Sequence, residues 1–216
     1  MKYSTKYITQ FTGSLIVAGL LAASRAGAAD TTGNSLSSKG SSFVKDAAAG
    51  NQSEIALAQL AQQKAQNPEV KNLAQMLQQD HQKSLEKLQT IAQAHGLTLD
   101  TSPGFMQRRA QSKLEKLNGA EFDQQYTKDM LEDHVADIKK FQKASQNVED
   151  SDVKQFAQET LPTLQSHLTH AESAATSAGV DQSTITSLTK NAPAGIGGTG
   201  ENQESSHGAG AEQQKP

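Results

Sequence analysis

Apolar residues recur every three or four positions in four long stretches of this chain, a spacing that predicts four amphipathic α-helices. The first predicted helix covers residues 42–66, with Ser41 or Ser42 as its N-cap. The second begins after Asn67, a good N-cap, with Pro68 in the first helical position. A faint repeat between the openings of the second and fourth helices supports two related helical hairpins.

The second half of the chain continues the same pattern with clear breaks. Gly96 ends the second helix, and a shorter helix is expected over residues 102–117. A third long helix follows the break at Gly119, and Asp150 is the expected N-cap of the fourth. Pro162 lies inside the fourth helix and is expected to kink it. The pattern predicts an all-α protein: an antiparallel four-helix bundle with a short extra helix between helices two and three.

The first 28 residues have the features of an export signal peptide. Lys2 and Lys6 precede an apolar stretch that is densest over residues 15–21, and Ala28 ends a small-residue cleavage site. A membrane anchor is the alternative, but the dense apolar run is short for a span. The sequence therefore predicts an exported protein of the periplasm or cell envelope, with no transmembrane segment after cleavage.

Composition divides the remainder of the chain into three parts. Residues 29–40 are rich in small polar residues and are expected to form a flexible lead-in. The helical domain is assigned to residues 41–178. Residues 179–216 end in a Gly/Ser/Glu/Gln-rich stretch with too few apolar residues to fold and are expected to be a largely disordered tail.

Charge and cysteine content exclude several classes of function. The net charge of −3 and the lack of a Lys/Arg cluster argue against a nucleic-acid partner. The absence of cysteine excludes disulfides and thiolate chemistry. No phosphate-binding loop, nucleophile elbow or dinucleotide fingerprint is present. No catalytic residue is assigned from the sequence.

Four polar residues interrupt the apolar stripes, one in each long helix: Glu54, His81, His134 and His167. Each lies near the middle of its predicted helix, within about one turn of a common level at 1.5 Å per residue. Neutral imidazoles bind transition metals, and a carboxylate adds compensating negative charge. The layer therefore predicts a core site for Fe, Mn, Zn or Cu. A buried Glu–His hydrogen-bond network without metal is the alternative.

The motifs around these residues resemble a known family. In chain order they are Phe43-Val44-Lys45 ahead of Glu54, Asp80-His81, Gly119-Ala120-Glu121-Phe122-Asp123, His134, and Thr160-Leu161-Pro162 ahead of His167. Over about residues 42–176 they resemble the bacterial domain-of-unknown-function family 4142. The resemblance implies a ferritin-like fold and an exported or outer-membrane protein. It implies no particular activity, because the function of that family is undefined.

The ligand set differs from that of ferritin-like di-iron proteins, which use two Glu-x-x-His pairs. Gln78, Leu131 and Leu164 stand three residues before the three histidines. A mononuclear or structural site is therefore favoured over a ferroxidase. Three nearby residues are assigned supporting positions: Asp80, Asp137, which is expected to orient His134, and His170, for which a surface position is the alternative.

Three functional hypotheses follow from the sequence. The first is an exported helical protein that binds a transition metal for envelope metal or stress handling. The second is a metal-free envelope module whose partner is an envelope protein or cell-wall component. The third is metal-dependent catalysis towards peroxide or oxygen, with Tyr126 as a redox-active neighbour of the site. A homodimer is compatible with all three.

Overall fold

All regular secondary structure in the described part of the chain is α-helical. The computed structural model describes residues 35–100 and 104–193, which form six helices and no strand. The predicted signal peptide, residues 29–34 of the lead-in, the expected start of the short helix at 102–103 and residues 194–216 lie outside the described residues. The helices are α1 Ser38–Lys64, α2 Pro68–Ala94, α3 Phe105–Glu115, α4 Gly119–Asn147, α5 Ser151–Ser177 and α6 Gln182–Thr189.

The four long helices pack against one another through the predicted apolar stripes. The most extensive contacts join α1 with α2 and α4 with α5, and α2 also packs against α5. Val44, Leu77, Phe122 and Val153 are each fully buried, one from each long helix. Removing such side chains from water is the main stabilisation of the fold, at about 1.5–3 kcal/mol each. No helix within residues 35–100 or 104–193 is both long and apolar enough to cross a membrane.

The ends of α2 confirm the predicted capping signals. The Asn67 side chain accepts hydrogen bonds from the backbone N–H groups of Glu69, at 2.8 Å, and Val70, at 3.4 Å. Pro68 is the first helical residue, where its missing N–H costs nothing. At the other end, Gly96 has a φ of 62°, a left-handed conformation that favours glycine. Local sequence therefore determines both ends of this helix.

The start of α1 differs from the prediction because a distant residue fixes it. The helix begins at Ser38 rather than Ser42, and its N-cap is Ser37, whose Oγ accepts from the Gly40 N–H at 3.0 Å. Asp150 lies at the N-cap position of α5 but makes no capping bond there. Its carboxylate instead accepts from the backbone N–H of Ser37, at 2.9 Å, and from the Ser37 hydroxyl.

A sixth helix lies in the segment that was expected to be a tail. Asp181 caps α6 by accepting a hydrogen bond from the Thr184 N–H at 2.9 Å. Val180 and Ile185 are buried, and α6 packs against α4 and α5. These two apolar residues are enough to anchor the short helix, because α4 and α5 already provide the surface that they cover. The sequence pattern of the segment alone did not indicate it.

Pro162 does not break α5, which continues from Ser151 to Ser177. A proline in a helix removes one hydrogen bond, here the one to the carbonyl of Gln158. Both residues are on the exposed side of the helix, where solvent can hydrate that carbonyl. The cost of the proline is thereby reduced, and the buried side of α5 keeps its stripe. The kink remains a prediction.

Candidate metal centre

The structure brings the four polar residues of the apolar stripes together in the core. We call Glu54, His81, His134 and His167 the core cluster. Glu54 on α1 and His81 on α2 are each 4% exposed, while His134 on α4 and His167 on α5 are 0% and 1% exposed. One ring nitrogen from each histidine lies within 4.8 Å of the other two. The Glu54 Oε2 atom lies 3.0 Å from His81 Nε2 and 3.6 Å from His134 Nε2.

A hydrogen bond to Asn51 determines which nitrogen of His81 carries the proton. The Asn51 Nδ2 group donates to the Ala47 carbonyl at 2.7 Å, which turns its Oδ1 towards His81. His81 Nδ1 lies 2.9 Å from that oxygen. An amide oxygen only accepts, so Nδ1 holds the hydrogen. In neutral His81 the Nε2 atom therefore presents a lone pair towards Glu54.

The other two histidines are oriented by acceptors in the same way. His134 Nδ1 lies 2.9 Å from the carbonyl oxygen of Met130, so this nitrogen donates. His167 Nε2 lies 3.2 Å from the Asp80 carboxylate and donates to it. The nitrogens left without a hydrogen are His134 Nε2 and His167 Nδ1, which are 3.2 Å apart. Each imidazole thus turns its lone pair towards the middle of the group.

Four acceptor atoms consequently converge with no hydrogen between them when the histidines are neutral. Within the described part of the chain, Glu54 Oε2 and His81 Nε2 have no hydrogen-bond partner, since their 3.0 Å contact lacks hydrogen-bond geometry. Buried acceptors that face one another repel and carry an uncompensated desolvation cost. A cation at the centre, either a proton or a metal ion, removes both penalties.

The pKa values show how the residues share charge without a metal ion. Burial favours a neutral Glu54, but the positive potentials of His81 and then His134 outweigh it and lower its pKa. Burial also opposes a charged His81, yet the Glu54 carboxylate raises the His81 pKa above its usual range. Burial and the charges of His134 and His81 lower the pKa of His167 to about 4. The site therefore favours one positive charge beside Glu54 and disfavours a second.

Tyr126 is a buried polar residue two turns before His134 on α4. Its side chain is 0% exposed, and its hydroxyl has no hydrogen-bond partner among the residues that the structure describes. Burial raises the pKa of Tyr126, and the negative charge of Glu54 raises it further. The ring stacks on Phe122, with centroids 6.0 Å apart. Tyr126 is thus a neutral phenol within the electrostatic reach of the site.

Two of the three residues assigned supporting positions, Asp80 and Asp137, each pair with a lysine. Asp80 contacts His167, as described above, and pairs with Lys83 at 3.0 Å. Asp137 pairs with Lys140 at 2.7 Å, and the Met130 carbonyl takes the place beside His134 that was expected for Asp137.

The third residue, His170, is exposed, and its Nδ1 donates to the Ser166 carbonyl. The structure therefore places it on the surface.

The comparison with known proteins gives one match. The family model described as "Domain of unknown function (DUF4142)" matches residues 23–174. The chain belongs to this family. The DUF4142 match contains α1, α2 and α4 completely and all four residues of the core cluster. No curated protein and no solved structure matches the chain.

The sequence pattern did not identify Asn51 as part of this site. The residue is 5% exposed and lies three positions before Glu54 on α1. Residues three apart share a helix face, so a second polar residue on the stripe was the available signal. The Met130 contact had no such signal, because a backbone carbonyl is present at every position.

Proposed function

We propose that the protein binds one transition-metal ion through Glu54, His81, His134 and His167. The observation that carries this proposal is the set of four converging acceptor atoms with no hydrogen between them. The hydrogen bonds made by Asn51, Met130 and Asp80 support it, because metal-binding histidines usually donate their other nitrogen to such acceptors. All four ligand side chains are buried, so the acceptor atoms carry a desolvation cost that a cation would offset.

The spacing of the atoms suits a small divalent ion. Ligands about 2.0–2.1 Å from a tetrahedral Zn²⁺ lie about 3.3 Å from one another. The separations of 3.0, 3.2 and 3.6 Å bracket this value. The ligand nitrogens of the three histidines all lie within 4.8 Å of one another, so closure onto one ion needs only small movements.

The donor set favours a mononuclear site. Three imidazoles and one carboxylate suit Zn²⁺, Fe²⁺, Mn²⁺ or Cu²⁺. A di-iron centre needs further carboxylates to bridge its metals, and Glu54 is the one carboxylate with an atom among the four. With a divalent ion, neutral histidines and one carboxylate, the site carries a net charge of +1. Asp80, which contacts His167, lies close enough to balance this charge.

The proposal includes a fold and a cellular setting. We infer that α1, α2, α4 and α5 form a ferritin-like antiparallel four-helix bundle, since each long helix supplies one residue of the core cluster. We also propose that residues 1–28 direct export to the periplasm or cell envelope, where the site serves metal or stress handling. Retention of a cleaved, folded protein in a periplasmic extract would support the location, and an uncleaved cytoplasmic protein would contradict it.

Alanine variants test the metal site. His81→Ala and His134→Ala should each reduce metal content by at least about tenfold, because each removes one of four ligands. His170→Ala is the matched control, since His170 is exposed and contributes no atom to the group of ring nitrogens. Circular dichroism confirms that each variant is folded. Metal content equal to that of the control in both core variants would refute the site.

A metal-free structural network is the second candidate, and the charge distribution favours it. The raised pKa of His81 and the lowered pKa of Glu54 describe an ion pair that holds a proton where the metal would bind. Such a pair fixes helix register without chemistry. It predicts that a strong chelator leaves the melting temperature unchanged. A chelator-induced decrease that Zn²⁺ reverses would exclude it.

A further inference from the structure

A small polar cavity lies beside the core cluster. Its volume is about 20 Å³, enough for a single water molecule. Its lining includes two of the proposed ligands together with carboxylates and hydroxyls: His81, His167, Asp80, Asp137, Thr160 and Thr163. The Nε2 atom of the buried His81 has no hydrogen-bond partner within the described residues. The cavity therefore borders two of the four proposed ligands, His81 and His167, on the side away from Glu54 and His134.

Two carboxylates that line this cavity are more exposed than the proposed ligands. The side chain of Asp80 is 30% exposed and that of Asp137 is 16% exposed, whereas the side chains of His81 and Glu54 are each 5% exposed. Asp80 also contacts His167 with one oxygen. The carboxylates thus form an intermediate layer, more accessible than the ligands and less accessible than the surface.

Each carboxylate of this layer is paired with a lysine three residues later on the same helix. Lys83 binds the Asp80 carboxylate and is 70% exposed, and Lys140 binds the Asp137 carboxylate and is 41% exposed. The Asp80–Lys83 pair is the more exposed of the two and contributes little stability, at about 0–1 kcal/mol. Lys83 can therefore leave its carboxylate for solvent at small cost when a divalent cation arrives, whereas the less exposed Lys140 is held more firmly by Asp137.

We propose that Asp80 and Asp137 form the uptake route by which a divalent cation reaches the core cluster, with Lys83 and Lys140 slowing uptake by occupying the carboxylates. This inference rests on the proposed function. Burial of an isolated ion is very costly, so a buried site needs intermediate ligands that replace its hydration shell stepwise. Carboxylates at the rim also raise the local cation concentration and the association rate.

Association kinetics test the route on the full-length mature chain. Metal-free protein is mixed with Zn²⁺ in a stopped-flow instrument, and a fluorescent zinc indicator reports the free ion. Asp137→Asn should slow association by about 5–10-fold at low salt, and the equilibrium affinity should change less than twofold. Asp137 is the better target, because Asp80 also positions His167 and substitution of Asp80 would therefore alter the affinity.

A second variant changes the rate in the opposite direction. Lys140→Gln leaves Asp137 without its lysine and should speed association by about two- to fivefold, again with little change in affinity. The predicted differences should shrink in 1 M salt, where screening removes attraction at a distance.

Asp129 and Lys113 provide matched controls for net charge. Asp129 lies on the same helix as Asp137 and is 4.0 Å from Lys113, and its side chain is 20% exposed against 16% for Asp137, so its substitution changes the charge at a similar depth. Neither Asp129 nor Lys113 lines the cavity. Asp129→Asn and Lys113→Gln should leave the association rate within twofold of the wild type. A clear difference between the two pairs of variants would support the route.

Two outcomes would overturn the inference, and they differ in their meaning. Equal rate changes in the Asp137 and Asp129 variants, or none in either, would exclude the route while leaving the metal site intact. Absence of saturable Zn²⁺ binding by the wild type at equilibrium would overturn both the site and the route.

Discussion

Asn51 holds the ring of His81 in the tautomer that a metal ligand needs. Its amide nitrogen donates to the Ala47 carbonyl at 2.7 Å, and its amide oxygen accepts from His81 Nδ1 at 2.9 Å. The bond to Ala47 fixes the orientation of the Asn51 amide, and the bond to His81 fixes the proton on His81 Nδ1. The lone pair of His81 Nε2 therefore faces Glu54 Oε2, 3.0 Å away.

Substitution of Asn51 should weaken metal binding without removing a ligand. Asn51→Ala is expected to reduce Zn²⁺ affinity by about 10–100-fold, the usual effect of losing a residue that orients a ligand. Competition with a zinc chelator measures the affinity. Asn147→Ala is the control, because Asn147 makes the same bond to the carbonyl four residues earlier without touching a histidine. Equal affinities in the two variants would contradict this role.

A second prediction concerns the bond between Ser37 and Asp150, with two glycines of α1 as the probes. A Cβ atom at Gly40 would clash with Asp150 Oδ2, whereas one at Gly50 would meet nothing within 4 Å. Gly40→Ala displaces the carboxylate from Ser37 and should lower the free energy of unfolding by about 1–2 kcal/mol. Gly50→Ala should raise it by about 0.5–1 kcal/mol through helix propensity. Urea unfolding measures both, and a stabilised Gly40→Ala variant would show that the contact is unimportant.

The unpartnered hydroxyl of Tyr126 gives a third prediction. Tyr126→Phe removes a buried polar group that makes no hydrogen bond, so the free energy of unfolding should rise by about 1 kcal/mol. Thr127→Val is the comparison, since the Thr127 hydroxyl donates to the Asp123 carbonyl at 2.9 Å and its loss should destabilise. Thermal and urea unfolding in the presence of chelator measure both. Destabilisation by Tyr126→Phe would indicate a hydroxyl partner at the site.

The lowered pKa of His167 predicts the pH dependence of the chelated protein. Its pKa falls from 6.5 to about 4 on folding, chiefly through burial. Between these values the unfolded chain binds a proton at His167 that the folded chain does not, so the contribution of His167 to stability should decrease as the pH falls from 6.5 to 4, whereas His81, whose pKa is raised on folding, contributes in the opposite direction. This contribution is on the order of 3 kcal/mol. His167→Leu should flatten the decrease and His170→Leu should not. Identical pH profiles in the two variants would refute the assignment.

The sequence was sufficient to predict the all-helical fold and the meeting of the four polar residues. Both follow from local rules. Residues at a spacing of three and four share a helix face, and residues at similar depth in neighbouring helices meet when the stripes pack. The Asn67–Pro68 break was predicted for a similar reason, because its cap is made by residues two and three positions away.

Contacts between distant residues could not be predicted in this way. The start of α1 depends on Asp150, which is 113 residues from Ser37. The Met130 carbonyl, rather than the expected Asp137, accepts the hydrogen bond from His134. This choice depends on the rotation of the His134 ring, which sequence spacing does not specify. Helix α6 depends on a surface that exists only after α4 and α5 have packed. In each case tertiary packing, rather than local preference, decides the outcome.

The most direct test of the central claim is elemental analysis by mass spectrometry. The mature protein is purified without an affinity tag, stripped of metal, incubated separately with Fe²⁺, Mn²⁺, Zn²⁺ and Cu²⁺, and desalted. We expect close to one equivalent of at least one metal per chain, and less than about a tenth of that in His134→Ala. No metal above background with any ion, in protein that remains folded, would contradict the account and identify the cluster as a structural network.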